Sequence, residues 1–396
     1  MKYTALLSLL LLGMGSKLVY AEDQLSATLN ESVIKIPTTV KTIFNQEVSK
    51  DMVVTQFKPN GDGPFPIVVL LHGRSYKDRS KPGRERFLQV SRYFVNRGFA
   101  VWVPTRIGYG DSGIDPDPEY SGTCSGKMYV PAYEAAATAT LTVIAYAKQQ
   151  SYVDPTRIVV LGQSYGGATA MTVAAKNPPG LIAAINFAGG GGGNPDTQPY
   201  EPCRPDLLKG MFGVYGKTAR VPSLWIYTEN DKYFGPTYPK QWFAEYQKQS
   251  SVSQLAEYQA MPAFGDNGHY FFSRAFSTWR PIVDNFLQRQ GVLIPQTPGN
   301  TEETGFAKIN ELASVPVKNA ELRDKYVKFL ESDIPRAFVV DASGEFGAYF
   351  GGTTDALEKA LALCKKRAQQ ECAPYAVDDS VVWKKPTISA QTDKAS

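Results

Sequence analysis

Histidine is scarce in this sequence, since 396 residues contain only two, His72 and His269. A zinc site built on several histidines is therefore excluded. The sequence also lacks any run of basic residues, and its formal net charge is only +4, which argues against nucleic acid as a partner. Apolar residues make up 43% and charged residues 20%, so wholesale disorder is excluded and a large core can form.

Long apolar runs are missing after the first twenty residues. Near the start, Lys2 precedes a leucine-rich run over residues 5–14, which is shorter than the ~20 residues that a membrane span needs. Small residues before and at Ala21 suit a signal peptidase. The pattern predicts a signal peptide over residues 1–21, cleaved near Ala21, with an uncleaved anchor as the alternative. We therefore expect an exported protein, periplasmic or secreted, without a stable membrane anchor.

Cysteine is also sparse, with four residues in the chain. An even number in an exported protein indicates disulfides, and four cysteines allow three pairings. Cys364 and Cys372 are close in sequence, whereas Cys124 and Cys203 both lie in glycine- or proline-rich segments. The simplest pairing joins Cys364 to Cys372 and Cys124 to Cys203. The spacings do not suit a metal site.

Apolar strands alternate with helices from about residue 51 onward. The pattern predicts strands at 53–57, 66–71, 99–103, 158–161, 181–187, 222–227 and 256–259, and helices at 86–96, 131–149, 166–176, 241–247 and 281–290. Near-continuous apolar strands of this kind indicate a mostly parallel sheet with helices on both faces. We assign residues 22–292 to this α/β domain.

A second, smaller unit follows a proline- and glycine-containing stretch. Residues 293–303 read as a linker, and residues 304–396 as an accessory α+β module. Strands at 337–341 and 348–350 are predicted to form a hairpin, and residues 375–383 a final strand. Asp355 and Glu358 have capping-box spacing for the intervening helix.

The segment Gly162-Gln163-Ser164-Tyr165-Gly166 carries the strongest chemical signal. It joins a predicted strand to a helix that opens with small residues, and such a turn lifts a serine hydroxyl clear of the sheet. Glycines suit the flanking positions because side chains there would strike neighbouring backbone. We interpret Ser164 as a nucleophile. The alternative is a glycine-rich helix entry without chemistry.

A serine nucleophile needs a histidine base that a carboxylate orients. His72 ends a predicted central strand in a His-Gly turn, where shaping a loop is the more common role. His269 lies in a loop after a late strand, so we interpret it as the base. Asp231 follows the strand over residues 222–227 and gives the chain order Ser, Asp, His. Glu229 and Asp266 are the alternatives to Asp231.

Main-chain N–H groups must stabilise the oxyanion that forms when Ser164 attacks a carbonyl. One should come from Tyr165, the residue after the nucleophile. The other should come from the loop after His72-Gly73, with Arg74 favoured and Ser75 as the alternative.

Gly110-Asp111-Ser112-Gly113 offers a competing serine motif, since it is similar to the serine segment of trypsin-like proteases. Those enzymes place histidine and aspartate well upstream on β-barrels. No such pair precedes Ser112, so we interpret this segment as a turn.

Taken together, the chain resembles the α/β-hydrolase superfamily, and within it the dienelactone-hydrolase-like and prolyl-oligopeptidase-like serine hydrolases. The resemblance covers about residues 51–292 and rests on Leu71-His72-Gly73, the loop at 108–113, the segment 162–167, Asp231 and His269. Dienelactone hydrolases proper use a cysteine where this sequence has Ser164. The resemblance is specific for fold and triad and much less so for substrate.

The expected function is therefore serine hydrolysis of a carboxylic ester, on a small-molecule or polymeric substrate. No metal or organic cofactor is implied. A peptidase or amidase with the same machinery is the first alternative, and a binding protein on an inactive hydrolase scaffold is the second. The sequence does not indicate the oligomeric state.

Overall fold

The structure of the protein is a computed structural model. It describes residues 25–26, 29–75, 78–249, 255–292, 304–332, 336–353, 355–378 and 380–384. The predicted signal peptide and the predicted linker at 293–303 lie outside the described residues. Within these ranges, no helix is both long and apolar enough to span a membrane.

The larger unit is built on an eight-stranded sheet. Its strands are β1 Ser32–Lys41, β2 Glu47–Phe57, β3 Phe65–Leu71, β4 Ala100–Pro104, β5 Val153–Gln163, β6 Leu181–Phe187, β7 Ser223–Thr228 and β8 Ala256–Met261. They lie in the order β1-β2-β4-β3-β5-β6-β7-β8. Strands β3 to β8 pair with one another in parallel. Strand β2 pairs antiparallel with both β1 and β4.

Helices cover both faces of this sheet. They are α1 Leu88–Val95, α2 Tyr129–Ala147, α3 Tyr165–Lys176, α4 Pro205–Thr218, α5 Tyr238–Gln249, α6 Phe271–Arg274 and α7 Phe276–Arg289. Alternate residues of β3 enter opposite cores: Val69 packs with residues of α2 to α5, and Val68 packs with residues of α1, α6 and α7. Because both faces are buried, the strands are apolar at nearly every position.

The predicted mostly parallel sheet with helices on both faces is confirmed, and several details differ. Helix α4 was not among the predicted helices. Strand β1 was not predicted, because its alternation of exposed and buried residues becomes regular only in its second half. Helix α7 starts at Phe276, ahead of the predicted start at Pro281. Burial of Trp279 in the core favours helix over the earlier residues despite the internal proline.

The C-terminal unit is a separate small α+β module. It contains α8 Ala320–Glu331, β9 Arg336–Asp341, β10 Gly347–Gly351, α9 Ala356–Ala368, β11 Cys372–Val377 and β12 Ser380–Val381. The antiparallel sheet has the order β10-β9-β11-β12. Phe338 packs towards the α8 side and Val339 towards the α9 side, so two small cores flank the sheet. The predicted hairpin between β9 and β10 is present.

Two expectations for this module are wrong. The predicted final strand is two short strands, β11 and β12, because Asp378 adopts a left-handed turn conformation with φ 50°. The capping box at Asp355 does not form, since its side chain makes no cap hydrogen bond. Instead Asp355 Oδ1 accepts from the Thr353 hydroxyl and pairs with Lys359 at 2.9 Å.

Candidate active site

Ser164 lies at the turn between β5 and α3 with strained backbone angles, φ 58° and ψ −124°. A positive φ is costly for a residue other than glycine, so the surrounding structure must hold it. Ser164 N–H donates to the Phe187 carbonyl at 2.8 Å, and the Ser164 carbonyl accepts from Gly167 at 2.9 Å. The turn therefore has the sharp strand-to-helix geometry that the sequence predicted for a nucleophile.

Glycine at two flanking positions is required by close backbone approach. A Cβ on Gly162 would lie 2.0 Å from the Gly166 carbonyl oxygen, and one on Gly166 would lie 2.1 Å from the Leu71 carbonyl oxygen. Neither distance is possible for a side chain. The glycine spacing around Ser164 thus has the steric cause that we inferred from the sequence.

His269 and Asp231 meet at the carboxyl ends of the neighbouring strands β8 and β7. His269 Nδ1 lies 2.9 Å from Asp231 Oδ2, and both side chains are almost fully buried. Asp231 Oδ1 accepts from the main-chain N–H groups of Tyr233 at 2.7 Å and Phe234 at 3.2 Å. These bonds fix the carboxylate, which in turn fixes the orientation of the imidazole. The Tyr233 ring stacks on the imidazole with centroids 3.9 Å apart.

Of the three candidate carboxylates, the structure brings only Asp231 to the imidazole. Among the described residues, Glu229 and Asp266 are both exposed, whereas Asp231 is fully buried. Burial of an ionisable group without partners is costly, so the bonds to Asp231 explain why it can occupy this position.

Asparagines that the sequence analysis did not single out join the two loops that carry Asp231 and His269. The Asn267 side chain accepts from the main-chain N–H groups of His269 at 3.1 Å and Lys232 at 3.0 Å. Asn230 donates from its side chain to the Gly265 carbonyl at 2.9 Å. Asparagines at loop positions commonly bond main-chain groups, which is the one signal that could have found them.

The loop of His269 is also tied to the turn of Ser164. Gln163 Nε2 donates to the His269 carbonyl at 3.1 Å, which places the base loop beside the nucleophile. Among the described residues no hydrogen bond joins the Ser164 hydroxyl to His269 Nε2. Such bonds are often loose without substrate and tighten in the substrate complex.

His72 has both ring nitrogens committed to main-chain groups. Nε2 accepts from the Arg106 N–H at 3.0 Å, so Nδ1 carries the proton and donates to the Gly73 carbonyl at 2.7 Å. Burial, together with the nearby Arg106 guanidinium, holds the pKa of His72 well below its usual value. A neutral histidine with no free nitrogen cannot take a proton from Ser164, so His72 does not compete with His269.

Ser112, the competing serine, is fully buried beside β2. Its hydroxyl accepts from the Val53 N–H at 2.8 Å. This bond supports the interpretation of the segment around Ser112 as a structural turn.

The loop after β3 lies directly against Ser164. A Cβ on Gly73 would lie 3.2 Å from the Ser164 Cβ, so the main chain of this loop passes close to the nucleophile. Arg74 N–H follows in this loop, and Tyr165 opens α3, where N–H groups lack helical partners. The Ser75 hydroxyl accepts from the Asp78 N–H at 3.1 Å. Arg74 and Tyr165 remain the predicted oxyanion donors, with Ser75 as the alternative to Arg74.

Disulfide Cys124–Cys203 lies beside the glycine-rich loop that follows β6. A Cβ on Gly192 would approach the Cys203 Cβ to 3.1 Å. The Tyr129 hydroxyl donates to the carbonyls of Cys203 at 2.5 Å and Gly191 at 3.3 Å. The structure thus brings together the glycine loop and the bridged segments, as expected for the wall of a substrate pocket. The second expected disulfide, Cys364–Cys372, joins α9 to β11.

A family model described as the alpha/beta hydrolase family matches residues 68–313. The chain belongs to the alpha/beta hydrolase family. The match begins in β3, includes Ser164, Asp231 and His269, and runs past the residue-292 boundary at which we expected the resemblance to end. Among the described residues, no group of three or more His, Cys, Asp or Glu side chains is arranged to hold a metal ion.

Individual relatives of this hydrolase are distant. Dipeptidyl aminopeptidase BIII from Pseudoxanthomonas mexicana is 26% identical over 128 residues, which are 32% of this chain and 17% of that protein. A putative dienelactone hydrolase from Klebsiella pneumoniae shares 16% identity with a TM-score of 0.42, covering 66% of this chain and 98% of that chain. The Pyrococcus furiosus esterase Pf2001 shares 15% identity with a TM-score of 0.42, covering 65% of this chain and 92% of that chain.

Proposed function

We propose that this hydrolase is an exported serine esterase that cleaves carboxylic esters through an acyl-enzyme. In this mechanism Ser164 attacks the ester carbonyl, and His269 accepts the serine proton and then delivers it to the leaving alcohol. Asp231 orients the imidazole, and the N–H groups of Tyr165 and Arg74 stabilise the oxyanion. The observation that carries the proposal is the 2.9 Å contact between His269 Nδ1 and Asp231 Oδ2, in a loop that Gln163 ties to the strained turn of Ser164.

The tautomer of His269 follows from its partner. A carboxylate oxygen can only accept, so Nδ1 of a neutral His269 carries the proton and Nε2 has the free lone pair. Nε2 is therefore the atom that takes the proton from Ser164. Asp231 stays ionised and stabilises the imidazolium that forms.

Ester cleavage needs fewer groups beyond the triad and the oxyanion donors than amide cleavage does. An amide requires protonation of its leaving nitrogen, whereas an alcohol leaves more readily from the same tetrahedral intermediate. Any arrangement that cleaves amides would thus also cleave activated esters. Peptidase activity is the second candidate, and the similarity of 128 residues to a dipeptidyl aminopeptidase favours it.

Export is supported by the two disulfides, because disulfides persist in oxidising compartments. N-terminal sequencing of the protein recovered from the periplasm or medium tests this. A mature chain beginning near Glu22 is the expected result, and an intact Met1 in a reduced cytosolic protein would contradict export.

Two measurements test the function. A fluorophosphonate probe, followed by mass spectrometry, should label Ser164. A substrate panel should then compare p-nitrophenyl acyl esters with the matching p-nitroanilides and with short peptides. We expect turnover of esters well above that of amides. Turnover of peptides above esters would favour the peptidase, and a well-folded protein without labelling or turnover would be the inactive scaffold.

A further inference from the structure

A fully buried ion pair lies next to the loop after β3 that carries Arg74. The proposed triad does not use this pair. Arg106 Nε donates to Glu119 Oε1 at 2.7 Å, a second guanidinium nitrogen lies 3.2 Å from Glu119 Oε2, and neither side chain is more than 2% exposed. The Tyr109 hydroxyl adds a hydrogen bond to Glu119 Oε2 at 2.8 Å. Buried ion pairs seldom stabilise a fold more than apolar residues of similar size do, so this one calls for another explanation.

Arg106 contacts the turn after β3 through both its side chain and its main chain. A guanidinium nitrogen donates to the His72 carbonyl at 2.6 Å, and the Arg106 N–H donates to His72 Nε2 at 3.0 Å. The second bond leaves the proton on Nδ1, which donates to the Gly73 carbonyl at 2.7 Å. Both carbonyls of the His72-Gly73 turn are therefore held by this network.

The Gly73 carbonyl shares its peptide unit with the Arg74 N–H. A trans peptide is planar, and its carbonyl and N–H point in opposite directions. Fixing the Gly73 oxygen on His72 Nδ1 therefore fixes the direction of the Arg74 N–H on the opposite side. The Arg74 side chain is anchored too, since it donates to the Glu119 carbonyl at 3.0 Å and to Asp117 Oδ2 at 2.5 Å.

We propose that His72, Arg106 and Glu119 are positioning residues that hold the Arg74 N–H in the oxyanion hole. This inference rests on the proposed serine mechanism. His72 acts through the Gly73 carbonyl, Arg106 through His72, and Glu119 through Arg106. None of the three touches the substrate in this scheme. Their removal should weaken stabilisation of the transition state and leave substrate binding nearly unchanged.

A matched pair of substitutions at His72 separates its two nitrogens. The amide nitrogen of asparagine lies where Nδ1 does, so His72→Asn keeps a donor for the Gly73 carbonyl. Glutamine places its amide where Nε2 does, so His72→Gln loses that donor. We expect His72→Gln to lower kcat for a p-nitrophenyl ester about 10–100-fold with KM within about twofold. His72→Asn should recover most of the activity, and Glu119→Gln should lie between the two.

Thionoesters give a readout that a merely structural role would not change. Sulfur accepts hydrogen bonds more weakly than oxygen, so an intact oxyanion hole favours the oxoester over its thiono analogue. The ratio of the two rates should fall in His72→Gln by about the same factor as kcat. Since both rates come from one sample, the ratio does not depend on the folded fraction. If His72→Gln does not fold, Glu119→Gln is measured in the same way.

Asp284→Asn is the control, because Asp284 in α7 forms a similar two-oxygen contact at 2.6 Å with Arg97, which follows the end of α1. It should lower thermal stability without changing the ratio. If folded His72→Gln and Glu119→Gln both keep the wild-type kcat and the wild-type ratio of oxoester to thionoester rates, this inference is overturned. The proposed function is not affected by that result. A wild-type protein that neither turns over esters nor is labelled at Ser164 would overturn the proposed function, and the inference with it.

Discussion

Gln163 Nε2 donates a hydrogen bond to the His269 carbonyl at 3.1 Å, so the residue before the proposed nucleophile holds the loop of the proposed base. The two residues are 106 positions apart in the chain. The contact couples the turn after β5 with the loop after β8. It also gives Gln163, the residue between Gly162 and Ser164, a structural role.

We predict that Gln163→Ala lowers kcat about 5–10-fold, since a hydrogen bond of this kind contributes about 1 kcal/mol. Gln163→Glu should be at least as damaging, because a carboxylate cannot donate to the carbonyl. Steady-state ester hydrolysis measures both. Gln150, just after the end of α2, donates to the Tyr146 carbonyl at 3.2 Å, so Gln150→Ala is the control and should leave kcat unchanged. Equal rates for Gln163→Ala and wild type would remove this role.

Replacing Ser164 or His269 by alanine should abolish turnover and leave folding intact. The expected loss in kcat is about 10⁴-fold or more for each, and nearly as much for Asp231→Asn, which disturbs the tautomer of the base. Circular dichroism and single-turnover ester hydrolysis check the two halves of the prediction. Near-normal activity in His269→Ala would show that the base is misassigned.

The Cys124–Cys203 bridge should shape the substrate pocket. Replacing both cysteines by serine frees the segment whose Cys203 carbonyl accepts from Tyr129, beside Gly192. We expect a higher KM and a lower Tm, with kcat less affected. The double serine variant at Cys364 and Cys372 is the matched control, since that bridge lies in the C-terminal module. It should lower stability without raising KM. Peptide mapping that found free thiols at positions 124 and 203 would remove the basis of the prediction.

Glu85 should make stability depend on pH. Burial raises the pKa of Glu85 to about 7 from a usual 4.5, although the positive charge of Arg106 acts to lower it. His72 Nδ1 faces its carboxyl group at 3.8 Å. A raised folded-state pKa means that stability is fully present below pH 4.5 and is lost as the pH rises through about 7.

Glu85→Gln, which stays neutral, should therefore be more stable than wild type at pH 8 and lose this advantage towards pH 5. The difference is on the order of 3 kcal/mol at most. Thermal unfolding across this pH range measures it, and Glu229→Gln at an exposed position is the control. A constant difference in Tm between pH 5 and pH 8 would contradict the pKa shift.

Truncation after residue 292 should leave an active hydrolase. The C-terminal module has its own cores. A hydrogen bond of 2.9 Å joins it to the larger unit, from Arg92 on α1 to the Gly352 carbonyl. Ester turnover per folded molecule should stay within about twofold of the full chain, with lower solubility. A well-folded truncated protein that fails to hydrolyse small esters would place the module in the active site.

The sequence by itself determined the elements whose cause is local. The buried strands β3, β6 and β7 follow from apolar runs, and the turn at Ser164 follows from glycines that no side chain can replace. The cysteine pairing follows from proximity in sequence and similar loop settings. With two histidines in the chain, one of them in a His-Gly turn, the choice of His269 as the base required little further information.

Only the tertiary structure decided between groups that are alike in sequence. Glu229, Asp231 and Asp266 are all loop carboxylates, and the difference lies in burial and in contact with His269, across 38 residues of chain for Asp231. Arg106 and Glu119 give no local signal, because their side chains bond to each other, and otherwise Arg106 to His72 and Glu119 to Tyr109. Local propensity acts through neighbouring residues, whereas ion pairs and main-chain anchors depend on which loops the sheet topology brings to one edge.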